Sequence, residues 1–83
     1  MIRRLGSLVV KRSVAIGRHK TSISLEAGFW DGLKEIAAHE GVTVDALVTR
    51  IDTDREHANL SSVVRLHVLN YYRQSFDKDG DFF

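Results

Sequence analysis

The chain has 83 residues and a mass of 9.4 kDa, with no cysteine, no proline, 43% apolar and 28% charged residues. That apolar content is too high for a disordered chain, and the length excludes a multidomain enzyme. The net charge of +1 is a cancellation: residues 1–25 carry Arg3, Arg4, Lys11, Arg12, Arg18 and Lys20 with no acid, for +6, while residues 26–83 carry six bases against eleven acids, for −5. A basic segment on an acidic body suits a chain that meets a polyanion with one face, and it serves a solubilising arm equally well.

A chain this short buries only about 60 to 65% of its unfolded surface and usually needs a disulfide, a metal or a partner subunit. Without cysteine the disulfide and the thiolate zinc site are excluded, which leaves a second copy of the chain as the favoured staple. The basic start is followed by an apolar run that Lys11 and Arg12 cut short, so it matches neither a secretory signal nor a membrane span. The expected location is the bacterial-type cytoplasm, with no membrane partner.

Residues 1–12 are expected to form a basic arm. From Ser13 to Leu25 the pattern has period two, with a tight turn at Gly17 and Arg18, so it predicts one strand or two short strands around that turn. Thr21, Ile23 and Leu25 share one face, and Lys20, Ser22 and Ser24 the other. A helical period follows, with Phe29, Leu33, Ile36 and Ala37 on one stripe, Trp30 beside it, and Gly41 placed as a left-handed cap. Thr43 is a good N-cap for a second helix striped by Val44, Leu47, Val48 and Ile51. Residues 52–59 are polar and turn-rich. A third helix is predicted from Asn59 or Ser61 to about Gln74, apolar over more of its circumference than one stripe needs, which implies burial against a second copy. The domain is thus placed at residues 13–76, with an acidic tail over 77–83.

No constellation for catalysis stands out. His19, His39, His57 and His67 are scattered without ligand spacing, and the tail's Asp77, Asp79 and Asp81 lack the glycine position and closing glutamate of a calcium loop. There is no phosphate-binding glycine loop and no nucleophile elbow. No enzyme activity, metal or cofactor is expected.

The order of strand, helix, glycine and helix behind a basic front is carried by Gly17 to Glu26, Phe29 and Trp30, Leu33, Glu35 to Ala37, Gly41, Leu47, Ile51 and Asp52, Asn59 to Ser62, Arg65, Val68 and Leu69, and Tyr72 and Arg73. Together these residues resemble the ribbon-helix-helix superfamily of bacterial repressors, most closely its short stand-alone bacterial domain family. The resemblance implies a mainly α fold with a short β ribbon: a homodimer in which two copies pair their strands antiparallel, here with an added C-terminal helix. It implies double-stranded DNA as partner, with the ribbon's outward face in the major groove. Arg18, Lys20, Ser22 and Ser24 would face the bases, Lys11 and Arg12 the backbone, and the helix start at Thr43 and Val44 a phosphate. The dimer core would hold Ile23, Leu25, Trp30, Leu33, Leu47, Val64 and Val68. Trp30, His67, Tyr71 and Tyr72 are candidates for a small-molecule effector pocket. The alternative is the same dimer used as a ligand sensor or protein-interaction module with little DNA binding.

Overall fold

The structure, a computed structural model, describes residues 8–54 and 59–79. Two strands, β1 (Val9–Ile16) and β2 (His19–Glu26), precede three helices, α1 (Ala27–Glu40), α2 (Val44–Asp54) and α3 (Leu60–Asp79). The strands form an antiparallel hairpin whose register runs from Val9 opposite Glu26 to Ile16 opposite His19. Gly17, at φ 61°, takes the first loop position and Arg18 the second at negative φ, the sign pattern of a type II′ turn, whose twist matches the flanking strands. Residues paired across the ribbon share a face. Val14, Ile23 and Leu25 are therefore buried together, while Lys11, Ser13, Lys20 and Ser22 face outward.

β1 begins four residues ahead of the expected start at Ser13, so residues 9–12 belong to the ribbon and not to an arm. The cause is Arg12. It occupies an inward position between Val10 and Val14 and breaks the apolar alternation, yet its guanidinium carbon lies 4.8 Å from the centre of the Trp30 ring, where a cation stacks favourably. The ribbon is also complete within one chain, whereas the resemblance implied one strand from each of two copies.

Helix boundaries follow the expected signals. Gly41, at φ 72°, ends α1 with its N–H on Ala38 O at 3.2 Å and the Val42 N–H on Ala37 O at 3.0 Å, which satisfies the last carbonyls. Thr43 Oγ1 accepts the Ala46 N–H at 3.0 Å and caps α2. Asn59 Oδ1 does the same for α3, accepting from Ser62 N–H at 3.3 Å. α3 continues to Asp79, past the expected end at Gln74, so residues 77–79 of the expected tail are helical, in keeping with the absence of a breaker before Gly80. Residues 55–58 of the expected loop, the rest of the tail and the arm residues 1–7 lie outside the described residues.

The core draws on every element: Val14, Ile23 and Leu25 from the ribbon, Leu33, Ile36 and Ala37 from α1, Leu47, Val48 and Ile51 from α2, and Val64 and Val68 from α3. Six of the seven residues expected in a dimer core, namely Ile23, Leu25, Leu33, Leu47, Val64 and Val68, are thus buried inside a single chain, and Trp30 is half-buried against them. β1 and α3 supply the cover that a second copy was expected to give.

Candidate nucleic-acid interface

The outward face of the ribbon gathers Lys11 beside Ser24, Ser13 beside Ser22, and Ala15 beside Lys20, with Arg18 exposed in the turn at the tip. Lys11, Ser13, Lys20 and Ser22 are exposed, whereas Ser24 and Ala15 are half-buried. Ser13 was missed at the level of sequence. The period-two pattern of residues 9–16 carries it once Arg12 is accepted as an inward residue. Arg12 itself points to the helices and is not available to a duplex on the outer face. Arg3 and Arg4 lie outside the described residues.

In an antiparallel pair the N–H and C=O groups of alternate residues point away from the partner strand, and an open edge invites further pairing. Here helix side chains clamp one residue on each edge. On β1, the Ala15 N–H donates to Asp45 Oδ1 at 3.1 Å. The Thr49 hydroxyl is shared between Asp45 O at 2.8 Å and Ala15 O at 3.4 Å. On β2, the Ser24 N–H donates to Ser61 Oγ at 3.1 Å, while Arg65 Nη2 donates to Ser24 O at 3.4 Å. Arg65 Nε also donates to Glu26 Oε1 at 2.8 Å, and this hydrogen bond holds the Glu26 carboxyl below its usual range. Glu26, the acid at the foot of the ribbon, is therefore paired.

At the start of α2, the Thr43 hydroxyl oxygen already serves the helix itself. The Asp45 carboxylate, which would compete with a phosphate at this end, is drawn to the Ala15 N–H. Thr43 remains exposed and Val44 half-buried.

The four residues expected to line one pocket are not brought together. Trp30 packs under Arg12. Tyr71 and Tyr72 stand on the far side of α1, where the Tyr71 hydroxyl lies 2.7 Å from His39 Nδ1 and the Tyr72 hydroxyl donates to Glu35 Oε1 at 2.7 Å. The two tyrosine rings do meet, edge to face with centroids 5.5 Å apart, and they line one cavity with Glu35, His39 and Ser75, whereas helical spacing puts Trp30 on the opposite side of α1 from Glu35 and His39. The bond to Glu35, together with partial burial, pushes the Tyr72 phenol up to about 12. An open groove of about 460 Å³ does run between α1 and α3, with Phe29, Gly32, Val68, Leu69 and Tyr72 among its walls. Among the described residues no three metal-ligating side chains cluster, and no helix is long and apolar enough to cross a membrane.

An antiparallel ribbon leading directly into helices packed on one of its faces defines the ribbon-helix-helix class. The ribbon-helix-helix domain model matches residues 9–72, and the chain belongs to that family, whose members are typically dimeric, DNA-binding regulators. A solved structure, that of an uncharacterized protein from Bordetella pertussis Tohama I, is similar: 34% identity and a TM-score of 0.76 over 89% of this chain. The match covers 63% of that longer protein, so this chain spans less than two-thirds of its length. No curated protein matches.

Proposed function

We propose that the protein is a cytoplasmic transcriptional regulator that binds double-stranded DNA by laying the outward face of its ribbon in the major groove. The observation that carries this reading is the composition of that face. Lys11 and Lys20 flank Ser13 and Ser22, Arg18 stands at the tip, and the Glu26 carboxylate at the foot is neutralised by Arg65. Lysine and arginine donate to guanine O6 and N7 or to phosphate, and serine hydroxyls both donate and accept at base edges. A two-stranded ribbon fits the groove by width. We assign it a binding role without catalysis, and a homodimeric state supported by the exposed Leu66 and Leu69 on α3.

The test is duplex binding as a function of salt. Each phosphate contact contributes a slope of about −0.9 in log K against log salt, so affinity should fall steeply between 50 and 200 mM. Lys20→Ala should weaken binding, as should Arg18→Ala. Negligible affinity at low salt for any genomic duplex would end this reading.

A second reading rests on the groove between α1 and α3, whose volume lies in the range of small-molecule sites. In it the dimer senses a ligand there. Ligand density in that groove in a structure of the purified protein would favour it.

A further inference from the structure

We propose that the hairpin of one chain is by itself a complete, pseudo-symmetric reading ribbon, in which β1 and β2 are two copies of one strand motif and Lys11 and Ser13 do the same work as Lys20 and Ser22. The inference rests on the DNA-binding reading above and adds to it the residues of β1 and the symmetry of the site they would read.

Three independent features coincide. The first is sequence. Lys11, Arg12, Ser13, Val14, Ala15 and Ile16 match Lys20, Thr21, Ser22, Ile23, Ser24 and Leu25 at an offset of nine: lysine, any residue, serine, a β-branched apolar residue, a small residue, a large apolar residue. The second is register. Ser13 sits opposite Ser22, its own counterpart. Two antiparallel copies of one strand are related by a two-fold axis wherever a residue faces its equivalent, so the axis passes through this pair, perpendicular to the ribbon. The two-residue turn fixes this register, because pairing Ile16 with His19 leaves Ser13 only Ser22 to face.

The third feature is the pair of edge clamps. Ala15 and Ser24 are equivalent under the offset, and their edge groups are satisfied in the same manner. One helix side-chain oxygen accepts the N–H, Asp45 for Ala15 and Ser61 for Ser24. One donor four residues further along the same helix reaches the C=O, Thr49 for Ala15 and Arg65 for Ser24. α2 and α3 thus hold the two edges at matching points. Side-chain chemistry differs between the clamps, and geometry is what they share.

The consequence for recognition is spatial. Lys11 and Lys20 each stand two residues from the axis, on opposite strands and on the same outward face. At about 3.3 Å per residue and about 4.8 Å between strands, their Cα atoms are about 14 Å apart, which spans about four base pairs. Ser13 and Ser22 lie between them. A ribbon built this way presents equivalent donors to both halves of a short inverted repeat, with no second chain needed to complete it. A dimer then carries two such ribbons.

The experiment selects a duplex for the full-length protein from a randomised pool and titrates Lys11→Ala and Lys20→Ala against it by fluorescence anisotropy at fixed salt. Circular dichroism confirms that both variants fold, as their exposed positions predict. The expected result is a loss of about tenfold for each, the two agreeing within about threefold, and a selected subsite symmetric about its centre. Loss on Lys20→Ala with none on Lys11→Ala would overturn the inference and leave the DNA-binding reading standing, since β2 alone would then read. An asymmetric selected subsite would overturn it in the same way. Failure of the parent protein to bind any duplex at low salt would remove both.

Discussion

Glu26 and Arg65 show how one pairing serves two purposes. The carboxylate ends β2, and the guanidinium that neutralises it also reaches Ser24 O, so the ion pair both silences the acid at the ribbon foot and clamps the strand edge at that residue. Because the hydrogen bond to Arg65 holds the folded-state pKa of Glu26 below its ordinary value of 4.5, the unfolded chain binds the proton more readily. Its contribution is therefore present above the unfolded pKa and is lost as pH falls through the lower folded value. Glu26→Gln should lower the melting temperature modestly at pH 7, and the difference from the parent should shrink as the pH falls below 4.5. Tyr72 runs in the opposite sense. Its phenol is raised from 10.0 to about 12, so the stability of its bond to Glu35 is complete below pH 10 and is lost as pH rises through 12. Thermal melts of Tyr72→Phe should lie below the parent at pH 8 and converge with it above pH 12.

Among the elements, α3 is positioned by a close approach that its sequence does not advertise. Gly32, in the middle of α1, is buried where a Cβ would stand 2.9 Å from Val68 Cγ1 and 3.5 Å from the Tyr72 ring. Val68 is itself buried and β-branched, so it has little freedom to yield. Gly32→Ala should cost about 1 to 3 kcal/mol through overpacking, in spite of alanine's better helix propensity, and a denaturant titration measures it. The ribbon clamps give a second test: Asp45→Ala removes the acceptor for the Ala15 N–H and should cost about 1 kcal/mol. These contacts also show what was legible beforehand. The turn at Gly17, the cap at Gly41 and the N-cap at Thr43 are local devices, set by backbone sign and short-range hydrogen bonds, and the sequence displays them directly. The start of β1 was hidden by an inward arginine whose partner, Trp30, lies 18 residues away, and no local pattern reports such a partner. The expected pocket is split for a like reason: Trp30 is engaged by Arg12 of β1, away from the side of α1 that carries Glu35 and His39, where Tyr71 and Tyr72 meet.

At the scale of the whole molecule, the distribution of apolar surface bears on assembly. Since Ile23, Leu25, Leu33, Leu47, Val64 and Val68 fill the core of one chain, a dimer must use other residues. Leu66 is 56% exposed and Leu69 45%, three residues apart on α3 and so on one side of it, with Tyr72 on the same helical row as Leu69. Large apolar side chains grouped in this way favour a partner surface, and α3 is the element added behind the ribbon and the first two helices. A second copy meeting this face would leave the outward ribbon faces open, because Lys11, Ser13, Lys20 and Ser22 belong to a different surface. Two ribbons on one dimer gain from each other: once the first engages a duplex, the second binds at a high effective concentration. Changing Leu66 and Leu69 together to Glu should therefore leave the circular dichroism spectrum unchanged, since neither side chain belongs to the core, yet sediment as a monomer at concentrations where the parent is a dimer. The same variant should lose at least about tenfold in duplex affinity with every ribbon residue intact, and it should lose least on a duplex that offers a single subsite. A double variant that sediments with a dimeric parent would rule this face out as the interface, and a parent that sediments as a monomer would rule out the proposed dimer itself.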